Sequence, residues 1–431
     1  MLNPLAQELN DSLAGTVAGD LLSDLGKRIF FPKGIIAQSA EAKQRGKNAN
    51  ATIGTALENG KPMILESIKQ YAPSLSAAEL VTYAPTAGNP DLRSKWKEVL
   101  IKKNPSLSHK ENSISLPVVV PGLTAGISYL ADLFVDSSHP LLAADPSWDN
   151  YALITESRRA AELHSFNMFN GDRFDVESFK KALADDAKNC GSVRVILNFP
   201  QNPSGYSPRK SEAEEIVNAI ISEAEKGTKI IVWNDDAYFG LNYEDDIFPE
   251  SLFSKLCNAH ENILACKIDG PTKEDFVWGF RTGFLTFGSK GMTSEQYDAL
   301  VKKLMGLIRS SVSCASTPSQ SILLRALSDP KIEEQKKSLR KILEARYKKV
   351  RSFVDSHKSE KLTALPFNSG YFMSFRLNGI NAEALRLKLL DQWGIGTIAI
   401  DQKTLRVAFS SIDEENIEGV YQAIYKAADS F

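Results

Sequence analysis

The chain has 431 residues, 43% of them hydrophobic and 9% aromatic, with 51 Lys and Arg set against 53 Asp and Glu. That length exceeds one ordinary core and implies two or three compact units, while the composition excludes a disordered chain. The near-balance of charge gives no reason to expect nucleic acid or an anionic membrane as partner, and four cysteines and five histidines without regular spacing argue against a disulfide framework or a zinc site.

The first residues, MLNPLAQELNDSLAG, carry neither a basic head nor an apolar run, so no secretory signal is expected and a cytoplasmic location is the reading. The weakly charged run LPVVVPGLTAGISYLADLFV (116–135) contains Pro121, two glycines and Asp132, which predicts a buried strand, a turn and a helix instead of a membrane span. VRVILN (193–198), KIIVW (229–233) and ILACKI (263–268) read as further strands. KSEAEEIVNAIISEAEKG (210–227) reads as an amphipathic helix closed by glycine. Strand alternating with helix at this spacing predicts a mostly parallel sheet covered on both faces. Past residue 330 the character changes. A long charged helix is expected over 330–361. GYFMSFRLNG (370–379), GIGTIAI (394–400) and TLRVAFSS (404–411) then read as antiparallel strands around the helix NAEALRLKLLDQW, a smaller α+β unit.

Ligands of such sheets sit beyond the carboxyl ends of the strands, so four turns matter. PGLTAG (121–126) is either a tight turn or a cradle of backbone N–H groups for a phosphate. NFPQNPSGYSP (198–208) is strong turn chemistry, in which a fixed asparagine can also present its amide to a ligand. WNDDAYFG (233–240) sets two acids and a tyrosine at the end of a buried strand. Alternation along the strand allows at most one of Asp235 and Asp236 to face a site, leaving the other a capping or surface role. In ACKIDGPTKEDFVWGFRTGF (265–284), Lys267 lies within the strand and is expected at an edge, or snorkelling to water. Lys273 follows in the turn, where burial beside a cation lowers an amine's pKa and makes it nucleophilic toward a carbonyl. Arg281 carries the planar fork that suits a phosphate.

Together these turns resemble the fold-type I pyridoxal-phosphate enzymes, and closely the class I aminotransferases of the aspartate and aromatic type, from NATIGTALENGKP (50–62) to LRVAFSS. That family sets its catalytic lysine eight residues before a phosphate-binding arginine with a glycine beyond; Lys273, Arg281 and Gly283 fit this spacing, and Lys267 does not. The resemblance implies that Lys273 holds pyridoxal 5'-phosphate as a Schiff base. In DDAY, Asp235 becomes the partner of the pyridine nitrogen. Tyr238 and, from NPSG, Asn202 then share the phenolic oxygen. Trp148 of PSW (146–148) is implied against the ring, Asn202 also beside the substrate, and Gly122, Leu123 and Thr124 at the phosphate. YAPTAG (83–88) resembles the element whose tyrosine reaches the neighbouring subunit's phosphate, so Tyr83 implies a homodimer with shared sites. Gly54 and Arg406 match substrate-binding positions, Arg406 as the clamp on the α-carboxylate. Arg309 of IRSSVS (308–313) resembles a distal-carboxylate ligand reaching across the dimer, or else it is a helix-end arginine.

One departure concerns the residues before the lysine, where the family often has serines. Gly270 and Thr272 stand there, so one phosphate hydroxyl is missing and Thr272 is the stand-in. The implied fold is a large domain with a seven-stranded, mostly parallel sheet (61–324) and a small α+β domain (325–431) joined by an N-terminal segment (1–60). The implied activity is transamination between a dicarboxylic or aromatic L-amino acid and a 2-oxo acid such as 2-oxoglutarate. A lyase on the same scaffold, or a non-catalytic protein binding the same cofactor, are the alternatives.

Overall fold

The computed structural model describes residues 2–14, 22, 24–30, 34–52, 54–108 and 110–431. Its central sheet has seven strands: β1 (Val118–Val120), β2 (Leu141–Asp145), β3 (Leu163–Asn167), β4 (Ser192–Asn198), β5 (Lys229–Asp235), β6 (Ile263–Asp269) and β7 (Gly283–Gly288). They lie in the order β1-β7-β6-β5-β4-β2-β3. β7 runs antiparallel to both of its neighbours, and the other pairs are parallel.

Both faces of this sheet are dry, which explains the unbroken apolar runs. Val195 and Leu197 of β4 and Val232 of β5 pack with Phe179 and Leu183 of the helix Val176–Cys190 and Ile216 of the helix Lys210–Glu225. Ile196, Ile231 and Trp233, pointing the other way, pack with Leu130 of the helix Leu123–Phe134 and Leu304 of the helix Ser294–Ser311. The stretch 116–135 is thus β1, a turn and a helix. No helix among the described residues is long and apolar enough to cross a membrane.

The charged stretch after residue 330 forms one helix, Ile332–Ser356, which ends where His357 turns extended. Beyond it, β8 (Leu362–Ala364), β9 (Phe372–Leu377), β10 (Ile398–Ala399) and β11 (Thr404–Ala408) form an antiparallel sheet in the order β8-β9-β11-β10. Two expectations are corrected here. GIGTIAI is not one strand: Ile395–Gly396 pairs in parallel with Ala49–Asn50, and only Ile398–Ala399 joins β11. The helix Ile35–Arg45 crowds that face so closely that a Cβ on Gly396 would lie 2.5 Å from that of Ala42. TLRVAFSS stops being a strand at Ala408, and Phe409–Ser411 coils into a short 3-10 turn.

The NPSG turn ties the two sheets together. The backbone N–H groups of Asn368 and Ser369 both donate to Gly205 O at 2.9 Å. Gly205 has φ +79°, and a Cβ there would lie 1.9 Å from Phe372 O. Gly205→Ala is therefore expected to cost about 3 kcal/mol, combining a left-handed backbone with overpacking. Urea unfolding checks this, and a midpoint unchanged from wild type would refute it.

Candidate active site

The turns after β1, β4, β5 and β6 open onto one cavity of about 460 Å³, closed from the other side by Gly54, Phe372 and Arg406. The sequence had singled out these same four turns. What they bring together is a cationic corner, a reactive amine and a buried acid.

The corner is built by Gly122 and Arg281. Gly122 has φ +91°, and a Cβ on it would lie 2.4 Å from Arg281 Nη2, so glycine lets the start of the helix Leu123–Phe134 come up against the guanidinium. Arg281 itself is left-handed at φ +50° and donates from Nη1 to Trp278 O at 3.2 Å. Beside it, Thr272 Oγ1 is buried without a hydrogen-bond partner. A helix start, a guanidinium fork and an orphaned hydroxyl fit a phosphate. The structure also explains why glycine stands where the family often has serine. A Cβ on Gly270 would meet Gly283 Cα, Leu123 Cδ1 and Thr282 O, each at 3.0 Å.

Lys273 sits on the single helical turn Pro271–Glu274, with Nζ 3.5 Å from Gly54 O and 5.2 Å from the ring centre of Tyr238. Burial, then the charges of Arg281 and Arg406, lower its pKa to about 8, against the opposing pull of Asp235. A sizeable share of the amine is therefore neutral near physiological pH, as a nucleophile requires.

Asp235 ends β5 inside the cavity. Burial raises its carboxyl to about 6, opposed by a 2.5 Å hydrogen bond donated by Tyr151 Oη and a 3.3 Å one from Ala237 N–H. A buried acid with only neutral donors suits a ligand cation.

With this amine, acid and anion corner in one cavity, the match of residues 52–424 to the family model for aminotransferase class I and II falls on the chemistry as well as on the chain length. The chain belongs to this family. It is 25% identical over 287 residues to the aspartate aminotransferase of Pyrococcus abyssi, a match spanning 66% of this chain and 67% of that protein. The cytoplasmic aspartate aminotransferase of Saccharomyces cerevisiae is 21% identical over 410 residues, spanning 90% and 92%. The chain spans about 61% of the length of the probable aspartate/prephenate aminotransferase of Aquifex aeolicus, at 25% identity over 267 residues and 61% of its own length. Among solved structures, an aminotransferase from Anaerococcus prevotii superposes with a TM-score of 0.84, covering 95% of this chain and 99% of that one at 22% identity. The fold is that of the fold-type I aminotransferases.

In this aminotransferase Leu123, Thr124, Trp148, Asn202, Asp235, Tyr238, Thr272, Lys273, Arg281, Arg406 and Gly54 all line the cavity, and Gly122 abuts it through Arg281. A hydrogen-bonded chain links two of its ends. Arg406 Nη1 donates to Asn202 Oδ1 at 2.9 Å, Asn202 N to Asn198 Oδ1 at 2.8 Å, and Asn198 Nδ2 to Asp235 O at 2.8 Å. Arg406 also donates to Thr52 O at 3.0 Å and lies 4.2 Å from the ring centre of Phe372, while its buried Nε has no partner. Burial lowers its pKa only to about 10, so it stays charged at neutral pH.

Two predicted residues lie elsewhere in the chain. Tyr83 is 91% exposed, and Arg309 is exposed in the last turn of the helix Ser294–Ser311. Leu80, Val81 and Val312 are exposed apolar neighbours of these in sequence.

Lys267 is neither at an edge nor snorkelling. It is fully buried, paired with Asp236, 3.4 Å from Asp269 Oδ2 and 4.4 Å from the ring centre of Phe239. Asp236, which also accepts from Ser251 Oγ at 2.6 Å, thus takes a buried ion pair in place of the expected cap or surface position. Sequence reasoning missed Tyr151, Asn198 and Phe372. Tyr151 had one available signal: it lies one helical turn after Trp148 and packs edge-on against it at 5.5 Å.

Proposed function

We propose that this aminotransferase uses pyridoxal 5'-phosphate to move an amino group between an L-amino acid and a 2-oxo acid such as 2-oxoglutarate. The observation that carries this reading is Lys273, its pKa lowered to about 8, in one cavity with buried Asp235 and the corner of Gly122, Thr272 and Arg281. When bound, the cofactor supplies a ring that accepts the electrons left when a Cα–H bond breaks. Arg281, Thr272 and the backbone N–H groups after Gly122 hold its phosphate. Asp235 would keep the ring nitrogen protonated, Trp148 would lie against the ring, and Tyr238 and Asn202 would donate to the phenolic oxygen. With Asn202 Oδ1 already accepting from Arg406, its N–H groups are the part that can reach a ligand. Arg406 clamps the α-carboxylate, and the Lys273 amine takes the proton from Cα.

The lysine and two arginines lining the cavity are all engaged by these roles. Ile35, Trp278 and Phe372 supply an apolar wall that suits an aromatic side chain. A dicarboxylic substrate needs a further cation, for which Arg309 of a second subunit is our candidate; Tyr83, reaching a neighbour's phosphate, belongs to the same dimer. The division into 61–324, 325–431 and an N-terminal segment 1–60 is part of this proposal.

The test is the visible spectrum of the purified protein with pyridoxal phosphate, followed after adding L-glutamate, L-aspartate or L-tyrosine. A visible band that one donor bleaches, with release of its 2-oxo acid, is the expected result. Release of ammonia instead would move the assignment to a lyase. In Arg309→Ala, activity toward aspartate and glutamate should fall at least ~10-fold while that toward tyrosine holds, as expected for one charge-assisted contact. Equal losses on all donors would remove Arg309 from the site.

A further inference from the structure

Lys273 is followed directly by two acids, Glu274 and Asp275, neither of which lines the cavity. Both turn the other way and meet lysines from distant helices. Glu274 accepts from Lys103 Nζ at 2.5 Å, at the end of the helix Pro90–Lys103, and Asp275, wholly buried, pairs with Lys336 of the helix Ile332–Ser356. Among the described residues no other group hydrogen-bonds to the Asp275 carboxylate or to Lys336 Nζ. The pair's other influences are charges without hydrogen bonds, from Glu274, Lys103 and Glu333, and Lys336 is itself buried.

The segment so gripped is strained. Phe276 and Arg281, neither of them glycine, both have left-handed φ values, +56° and +50°. Such conformations persist only where the surroundings over-determine them. Local hydrogen bonds hold the turn's backbone, Asp275 N to Pro271 O at 2.9 Å and Val277 N to Thr272 O at 3.2 Å, and Tyr371 Oη donates to Lys273 O at 2.9 Å. A buried ion pair returns little net stability beyond its desolvation cost, so stability alone gives no account of Asp275 and Lys336.

We propose that Lys336 is a positioning residue for Lys273, holding through Asp275 the turn that carries the reactive amine and cancelling the charge of the acid beside it. This rests on the reading of Lys273 as the cofactor lysine. The charges around the turn are Lys103, then Lys267 and Asp269 of β6, Asp236 after β5, Glu333 and Lys336 of the long helix, and on the cavity side Asp235, Arg281 and Arg406. The influences on Lys273 come from Arg281, Arg406 and Asp235; Glu274 and Asp275, though adjacent in the chain, are matched by their own lysines.

Removing one member of the pair therefore shifts the Lys273 titration in a direction set by the charge left behind. The readout is the rate at which apo-protein captures pyridoxal phosphate as a function of pH, alongside kcat and KM. In wild type that rate should rise with pH through a midpoint near 8, where half of the amine is neutral, and level off above it. Lys336→Met, leaving an unmatched carboxylate, should move the midpoint up. Asp275→Asn, leaving an unmatched ammonium, should move it down. Each should lower kcat roughly 10-fold with KM for the amino donor nearly unchanged, the mark of a displaced catalytic group. The double variant Lys336→Met/Asp275→Leu removes both charges and keeps the protein foldable if a single variant is not. It should recover the wild-type midpoint but not the wild-type kcat. Singles that shift the midpoint in the same direction, or a double variant with full kcat, would overturn the proposal. Failure of wild type to capture the cofactor at all would instead overturn the reading of Lys273 on which it rests.

Discussion

Lys273→Ala is expected to lower kcat by at least ~10⁴ with every amino donor while leaving a folded protein that melts no lower than wild type at pH 7. A positioned general base is worth about 10² to 10⁴, and the covalent anchoring of the cofactor comes in addition. The absence of a stability loss follows from the sign of the pKa shift. The amine's value falls from 10.5 in the unfolded chain to about 8 when folded, so the folded state resists its protonation. That cost is fully present below pH 8 and fades as pH rises from 8 toward 10.5. Alanine relieves it, so any gain in melting temperature should be seen at pH 7 and shrink above pH 10. Kinetics, calorimetry and a borohydride-reduced peptide map of wild type, with the cofactor mass on Lys273, check the three parts. A residual kcat above about one hundredth of wild type would mean that another amine does the chemistry. Lys267, buried against Asp236 and Asp269, is the lysine whose environment fits that role least.

The reason the sequence separated those two lysines is instructive. Neither is distinguished by its own neighbours, and a lysine in an apolar run reads as snorkelling unless its partner is known. The partner of Lys267 is Asp236, 31 positions earlier, brought beside it because β5 and β6 pair in parallel with Asn234 opposite Lys267. Its place in the turn after β6 made Lys273 a candidate, and the spacing to Arg281 decided for it. Elements buried on both faces, such as β1 and β5, were legible because their apolar runs are continuous. β3, LHSFN at the edge of the sheet, buries only Phe166 fully and leaves no such run. Most of the polar residues that line the cavity were found from turn chemistry and resemblance, but Asn198 and Phe372, which also line it, were not. Tyr151, hydrogen-bonded to Asp235, carried only its three-residue spacing from Trp148, and Asn198, bonded to Asp235 and Asn202, obeys no spacing rule. Their place is set by how β2, β4 and β5 align their carboxyl ends, which a single sequence does not display.

That alignment makes Asp235 the second residue whose loss should be severe. Asp235→Asn is expected to lower kcat about 10³-fold, with cofactor still captured by Lys273 and KM changed by no more than a few fold. Without a ligand the carboxyl stands at about 6 because burial outweighs the hydrogen bonds from Tyr151 and Ala237, and no cation lies in hydrogen-bond contact with it among the described residues. In the proposed reading a protonated ring nitrogen would supply that cation, and two unit charges about 4 Å apart at an effective dielectric near 20 attract by about 4 kcal/mol, close to three powers of ten in rate. The amide keeps the shape and can still accept from Tyr151, but it cannot hold a proton on the ring. The apo-protein should respond in the opposite sense. A carboxyl whose folded value is raised above 3.8 destabilises the fold at pH values above about 6, so apo Asp235→Asn should melt no lower than wild type at pH 8. A variant that is equally stable, still coloured by cofactor and a thousand-fold slower would assign Asp235 to the ring. One within ten-fold of wild type would leave it a structural acid, there to anchor Tyr151 behind Trp148.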